Sequence, residues 1–454
     1  MTSASTSRAA WVALAGLATF AASCGSSGSD SADAEATAGS TGTGGASSGA
    51  GSGGSTATGS GGTGATSGAG GEAATSGSGG EPAAGASGGA GAQGGSGAMG
   101  GSGGGSVVAG CSETDLRTAP PAGKEMFQAN PADPTFPFSV HWIGTLEDPR
   151  YISMTSLTDI DNDGDLDFAS GQRSNNGGGD GMFWWEYCTP DHWVYHYVGT
   201  GHNSVAGGNA IDADQDGFVD LLAGDSWYRN PQNPRESEWE RFFLGGPEAE
   251  ELVVGEVTGA APPEVLYVWR SINPQWFRAG ADPTLPWVQS ELTANTAQRQ
   301  QQGGAIGDLD RDGDNDILVG YRWWYENVEG DGSEWETVEI FDDENNDPFN
   351  EPLAHIGDLD GDGDNDFAVA AHFGGAVAWA ENVSGDGRTF SFHELESNME
   401  FLHAIVVADF DNDGDLDIFA GQNVGPSFIF ENTDGQGSFA QREIATDVRM
   451  HEAR

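Results

Sequence analysis

From residue 136 onward, short apolar runs alternate with polar turns at a steady interval, and no sustained 3.6-residue apolar period appears. One register is an aromatic residue followed five positions later by an aliphatic one. It recurs at Phe138/Ile143, Trp193/Val198, Trp239/Leu244, Trp287/Leu292, Trp335/Ile340, Phe390/Leu395 and Phe439/Ile444. A second is an apolar run ending in a glycine turn: "WWYENVEGDG" from Trp323, "WAENVSGDG" from Trp379 and "FENTDGQG" from Phe430. The third is an acidic stretch that passes directly into β-type residues. Its copies are "DIDNDGDLDFASG" from Asp159, "DADQDGFVDLLAG" from Asp212, "DLDRDGDNDILVG" from Asp308, "DLDGDGDNDFAVA" from Asp358 and "DFDNDGDLDIFAG" from Asp409. A degraded copy, "EVTGAAPPEVLYV", starts at Glu256 and keeps acid only at Glu256 and Glu264, with Thr258 and Ala260 between them. The six starts lie 44 to 53 residues apart.

One period therefore predicts an inner strand leading into the acidic loop, a second strand such as "DILVGY", a third such as "RWWYEN", a glycine turn, and an outer strand such as "WETVEI". Four short strands per repeat is the sequence form of a β-propeller blade. The fold class is all-β, a propeller of four-stranded blades over residues 136–454. Seven outer-strand signals stand against six acidic loops. The expectation is a seven-bladed ring with an incomplete final blade, and the alternative is six blades with a spare strand.

Composition divides the chain. Residues 24–110 are almost entirely Gly, Ser, Ala and Thr, which cannot bury enough apolar surface to fold. As a flexible linker they would reach on the order of 50 Å. Residues 111–135 form a Pro-rich transition. Residues 1–23 carry Arg8 and then the apolar stretch Ala9 to Ser23, too short for a membrane span and suited to an export signal. Its end, Ala21-Ala22-Ser23-Cys24, resembles a bacterial lipobox, with Ala21 where that motif usually has Leu. The resemblance implies cleavage before Cys24 and lipid attachment to its thiol. The expected location is the bacterial outer membrane or cell surface, reached through that anchor alone. An ordinary secretory signal is the alternative. Of the three cysteines, Cys111 and Cys188 remain as a possible disulfide.

The formal net charge of -53 argues against nucleic-acid partners, whose phosphates would repel the chain. It also raises the question of what offsets so many carboxylates, since two like charges ~4 Å apart repel by roughly 1 kcal/mol even in water. In the frame D-x-D-x-D-G-x-x-D, positions 1, 3 and 5 can turn carboxylates inward as the loop curls. Glycine at position 6 permits the bend, position 7 can give a backbone carbonyl, and position 9 closes the shell. The five candidate sets are Asp159, Asp161, Asp163, Asp165 and Asp167; Asp212, Asp214, Asp216, Phe218 and Asp220; Asp308, Asp310, Asp312, Asp314 and Asp316; Asp358, Asp360, Asp362, Asp364 and Asp366; and Asp409, Asp411, Asp413, Asp415 and Asp417. Ca²⁺, at about five sites, suits this oxygen-rich and flexible ligand set better than Mg²⁺. An EF-hand is excluded because position 12 is Ser170, Ala223, Val319, Val369 or Ala420 rather than Glu. The Glu256 copy should bind weakly or not at all.

Together the acidic loop, the aliphatic strand after it and the "WxEN" strand resemble the FG-GAP/VCBS repeats of extracellular β-propellers, including integrin-type heads. The resemblance implies Ca²⁺ in the hairpin loop between the first two strands of a blade. Fold alone does not give function. The favoured expectation is a lipid-anchored, calcium-binding adhesion module for a protein or glycan. A carbohydrate-active lyase or dehydratase and a passive spacer are the alternatives. An enzyme's best candidates would be His202, His355, His403 and His451. Trp184, Trp185, Trp323 and Trp324 offer either a sugar-stacking platform or blade core, and 173–181 and 341–351 are polar candidate contact loops.

Overall fold

The structure, a computed structural model, describes Cys111, Ile143 and residues 152–172, 181–190, 192–203, 207–235, 238–246, 251–268, 273–292, 302–341, 349–399, 401–423 and 425–448. The expected export signal, Cys24, the linker, Phe138 and His451 lie outside these, as do most of the polar loops 173–181 and 341–351.

Six antiparallel sheets of four strands follow one another along the chain. Blade 1 is β1 (Ile152–Thr158), β2 (Asp167–Gln172), β3 (Gly181–Thr189) and β4 (His192–Thr200). Blade 2 is β5 (Gly208–Ile211), β6 (Asp220–Ala223), β7 (Ser226–Arg229) and β8 (Glu240–Phe243). Blade 3 is β9 (Glu251–Gly255), β10 (Glu264–Val268), β11 (Gln275–Arg278) and β12 (Val288–Glu291). Blade 4 is β13 (Gly304–Gly307), β14 (Asp316–Val319), β15 (Trp323–Asn327) and β16 (Trp335–Glu339). Blade 5 is β17 (Asn350–Gly357), β18 (Asp366–Phe373), β19 (Val377–Asn382) and β20 (Phe390–Glu396). Blade 6 is β21 (Leu402–Ala408), β22 (Asp417–Gln422), β23 (Gly425–Asn432) and β24 (Phe439–Val448). The first strands of successive blades lie side by side, from β1 through β5, β9, β13 and β17 to β21. This is a six-bladed propeller.

The second strands read as unbroken apolar runs because each is covered on both faces. Side chains alternate across a strand. Leu221 accordingly packs with Trp184 and Tyr228 between blades 1 and 2, and its neighbour Leu222 with Tyr267 between blades 2 and 3. The same division separates Ile317 from Leu318, and Phe367 from Ala368, further round the ring. Trp184, Trp185 and Trp324 are buried in these cores, which rules them out as a sugar platform. Trp323 is half-buried, with the Arg322 guanidinium 5.3 Å from its ring centre.

The expectation of seven blades with an incomplete last one is not met among the described residues. Blade 6 is closed by its own outer strand, β24. The extra register contributes Ile143, which packs on the far face of blade 1 against Phe168, Phe183, Trp185 and Trp193. That face and the far face of blade 6, formed by Phe410, Phe419, Ile429 and Ile444, share no cluster among the described residues. Cys111 is disulfide-bonded to Cys188 at the end of β3, with a Cα separation of 5.9 Å.

A buried asparagine staples neighbouring blades. At the end of β19, the Asn382 side-chain amide donates to Leu309 O of blade 4 at 2.9 Å and Asn365 O of its own blade at 3.3 Å, while its oxygen accepts from Gly387 N at 3.1 Å. Asn327 repeats all three bonds, and Asn230 and Asn432 repeat the donations to Ile160 O and Leu359 O of the preceding blade. Blade 1 has Tyr187 at this place. The turn glycine that follows is required twice over. Gly387 has φ +65°, and a Cβ there would sit 2.5 Å from Trp324 Cζ2 of blade 4. Trp324 Nε1 donates to Gly387 O at 2.8 Å across the same junction.

Removing the staple leaves buried carbonyls without donors, each costing about 1–3 kcal/mol. Asn382→Ala is therefore expected to lower unfolding stability by roughly 2–4 kcal/mol, whereas the exposed Asn398→Ala should change it by less than about 0.5 kcal/mol. Urea denaturation of the two variants compares them directly, and equal losses would count against the staple.

Candidate metal centres

Each acidic loop joins the first two strands of a blade, and its curl is fixed by backbone groups closing onto carboxylates. At position 1, Asp358 accepts from Gly361 N at 2.8 Å and Gly363 N at 3.1 Å. Asp159 accepts from Asp163 N and Gly164 N, both at 3.1 Å. The curl needs left-handed backbone at two places. Position 6 is glycine throughout, with φ from +91° to +106°, while position 4 reaches φ +60° at Asn162 and Gln215, +67° at Arg311 and +62° at Asn412. Only position 6 was legible beforehand, because non-glycine residues occupy position 4 in four of the five loops despite its uncommon conformation, with Gly361 (φ +73°) in the fifth.

Position 9 fastens the loop to the sheet. Asp366 is buried, and its two oxygens accept from Leu359 N at 2.9 Å and Asn382 N at 2.8 Å. Asp167, Asp220, Asp316 and Asp417 make the same pair of bonds, to position 2 of the loop and to the third strand. Blade 3 reaches this end differently. Glu264 accepts from Val257 N at 2.9 Å and from Thr258 Oγ1 at 2.5 Å, which satisfies a loop with no inner carboxylates.

The loops bring the predicted oxygens together. One oxygen each from Asp159, Asp161 and Asp167 lies within 4.8 Å of the others, and so do sets from Asp308, Asp310 and Asp316 and from Asp212, Asp214 and Asp216. That spacing is what ligands of one ion at about 2.4 Å allow. Position 7 departs from the expectation that only its backbone carbonyl matters. Asp364 is 5 % exposed, and its Oδ1 is buried without a hydrogen-bond donor. Oδ1 of Asp165, Asp314 and Asp415 is orphaned in the same way, as is Oδ1 of Asp161 and Asp214 at position 3. Orphaned buried carboxylate oxygens are costly unless a cation or proton meets them. The residues present therefore fit Ca²⁺, which would be held by positions 1 and 3 with position 5 or 9, and position 7 in support.

Without a cation, protons take up part of this role. Burial pushes Asp167 and Asp316 up to about 8 and Asp220, Asp366 and Asp417 to about 7, even though backbone donors oppose the shift. At position 7, burial and the neighbouring position 5 carboxylate raise Asp314, Asp364 and Asp415 to about 6.

Sequence reading missed the carboxylate that the third strand adds beside the loop. Glu186 offers an oxygen within 4.8 Å of Asp161 and Asp163. Glu326, Glu381 and Glu431 stand at the same strand position, and each pushes up the nearest position 3 aspartate, Asp310, Asp360 or Asp411. The "WxEN" repetition carried the signal, but only the sheet register turns this glutamate toward the loop.

The candidate histidines are spread over separate partners. His202 is buried, with Nδ1 2.9 Å from Tyr228 Oη and Nε2 2.8 Å from Gln172 O. His355 lies in β17. The His403 ring packs against the His372 ring with centroids 4.2 Å apart, and its Nε2 lies 3.4 Å from Asn423 Nδ2. Phe373 and Phe401 extend this group, their rings 5.4 Å apart and 37 % and 46 % exposed. Phe373 ends β18, so at about 3.3 Å per residue it sits roughly 23 Å along the strand from Asp366 and its acidic loop. The propeller thus presents acidic loops at one end of its strands and this aromatic group at the other.

With the blades and loops described, the class is a β-propeller with a repeated acidic hairpin. Residues 358–420 match the model of the FG-GAP-like repeat. The six blades make the fold a β-propeller, and the match places an FG-GAP-like repeat in it, spanning the acidic loops of blades 5 and 6. No curated protein matches the chain at a significant level. Among solved structures, a lectin of Agrocybe aegerita that recognises non-reducing terminal N-acetylglucosamine is similar at 18 % identity and a TM-score of 0.46, over 66 % of this chain and 81 % of the lectin. The Tc holotoxin pore of Photorhabdus luminescens is similar at 16 % identity and a TM-score of 0.32, over 65 % of this chain and 15 % of the toxin chain.

A carboxyl whose pKa is raised on folding holds a proton that the unfolded chain releases between its ordinary pKa and the raised value. Stability is then lost as pH climbs through that interval. In EDTA, Tm is expected to be higher at pH 5 than at pH 8, since the raised groups lie at about 6 to 8. Saturating Ca²⁺ should raise Tm most at pH 8. A metal-free Tm that rises from pH 5 to pH 8 would contradict this assignment, and so would a Tm indifferent to Ca²⁺.

Proposed function

We propose that the chain is an exported, lipid-anchored binding module of the cell surface whose propeller uses Ca²⁺ as a structural part. The short apolar N-terminal stretch ending at Cys24 supports export and anchoring, and the Gly/Ser-rich residues 24–110 would let the domain stand clear of the membrane. Ion binding in the loops would become folding free energy, because the site exists only when the hairpins are formed. The observation that carries the binding role is the group of Phe373, Phe401, His372 and His403, which presents exposed aromatic surface at the end of blades 5 and 6 remote from the loops. Exposed rings with polar neighbours suit the apolar face of a sugar or an aromatic anchor of a protein ligand.

Two experiments test this reading. The wild-type propeller should bind on an immobilised glycan or matrix-protein array. The double variant Phe373→Ala/Phe401→Ala should lose at least tenfold in affinity while its Tm holds, because both side chains are already exposed. Unchanged binding by the variant would move the ligand surface elsewhere, and no binding by wild type on either array would count against a binding module. For the anchor, Cys24→Ser is expected to shift the protein from the membrane fraction to the soluble fraction of the exporting cell. Retention in the membrane would remove the lipid attachment from the account.

A further inference from the structure

The five acidic loops are nearly alike in sequence but are not alike in charge once the sheets are assembled. In blade 1, Arg235 arrives from the connection between β7 and β8 of blade 2 and enters the cluster of Asp161, Asp163 and Glu186. Its Nη2 pairs with Asp161 Oδ2 and lies 3.6 Å from Asp163 Oδ2, while Nε and Nη2 reach the two oxygens of Glu186 at 2.9 and 3.0 Å. The side chains of Asp161 and Glu186 are fully buried. Blade 2 has its own arginine. Arg229 stands on the third strand where blades 1, 4, 5 and 6 carry glutamate, and its Nε lies 2.6 Å from Asp214 Oδ2 as an ion pair rather than a well-aligned hydrogen bond. Its guanidinium is backed by Trp227 and Phe242, 5.7 and 5.1 Å from the ring centres.

Blades 4 to 6 differ. Their third-strand glutamates are paired, Glu326 with Arg388, Glu381 with His393 and Glu431 with Arg442, as Glu186 is also paired with His196. Among the described residues, no ion pair reaches positions 1, 3 or 5 of these three loops. Arg388 and Arg442 stop at the third-strand glutamates, and Arg311, half-exposed, lies 3.7 Å from Asp364 at position 7.

We propose that Arg235 and Arg229 are built-in counter-cations that make blades 1 and 2 weak, late-filling Ca²⁺ sites, so that the tight sites lie in blades 4, 5 and 6. The claim rests on the calcium reading of the loops. A fixed positive charge a few ångströms from an incoming divalent ion opposes it by several kcal/mol at the effective dielectric of a protein surface, and about 1.4 kcal/mol is already tenfold in affinity. Position 3 keeps one orphaned oxygen in both blades, on Asp161 and Asp214, so binding there is weakened rather than abolished. Blades 1 and 2 then carry part of their counter-charge within the chain, and blade 3 has no inner carboxylates to offset, so demand for the ion is greatest in half of the ring.

Calorimetric Ca²⁺ titration of the full chain, with the metal count checked by native mass spectrometry, tests the assignment. Wild type is expected to show three tight sites and two that are at least tenfold weaker. Arg235→Gln should turn one weak site into a tight one and lower Tm in EDTA, with the loss recovered in Ca²⁺; Arg229→Gln should do the same for the second. The paired change Asp161→Asn/Arg235→Gln removes both charges and should fold in EDTA without gaining a tight site. Five equivalent sites in wild type would overturn the proposal while leaving the calcium reading intact. The same follows if either single variant keeps its weak site unchanged, or if Arg235→Gln stays unfolded at every Ca²⁺ concentration. A wild-type chain that binds no Ca²⁺ would defeat the calcium reading itself, and this inference with it.

Discussion

In five of the six blades the fold turns on one buried carboxylate, the aspartate at position 9 of the acidic loop. Each of its oxygens accepts a backbone N–H, one from the loop and one from the third strand, so a single side chain sets the curl of the hairpin and its height on the sheet. The same burial makes the group electrostatically costly, which shows in pKa values raised to about 7 or 8. Geometry and charge are therefore inseparable here. A loop that holds its shape with a buried acid needs a positive partner close by, and the chain's other acidic positions sharpen that need.

Three kinds of partner answer it around the ring. In blades 4 to 6 a buried position 7 oxygen stays orphaned and no ion pair among the described residues reaches positions 1, 3 or 5, an arrangement that suits a divalent ion. In blades 1 and 2 arginines come in from the side. In blade 3 the inner acids are gone, and Glu264 satisfies itself on Thr258 and the backbone. The ring thus holds three physical solutions to one problem; blade 3 differs within the acidic frame, whereas blades 1 and 2 differ from blades 4 to 6 through residues outside it. The asparagine staples and the tryptophan–glycine contacts then join each blade to the last, so loop and junction stabilise each other.

On the function proposed above, this architecture would separate two tasks in space. The loops sit at one end of the strands, where an ion would stiffen hairpins without touching a ligand. Phe373 and Phe401 lie at the other end, displayed by the ends of inner strands that the ring holds fixed. A rigid scaffold carrying exposed aromatic groups on its connections is a common way to build recognition.

The sequence by itself determined the blade. Its three registers placed the strands, the acidic loop and the glycine turn, because strand alternation and turn chemistry act over a few residues. It also marked blade 3 as the exception through Thr258 and Ala260. Other features depended on residues far apart in the chain. Arg235 meets Asp161 across 74 positions, and Asn382 meets Leu309 across 73. The fate of Trp184 and Trp324 was likewise open until neighbouring sheets covered them. Blade number was decided the same way, since an outer-strand signal does not say which sheet it joins. Short-range patterning fixes each unit, whereas the charge balance of a loop and the closure of a junction depend on what the next blade brings against it.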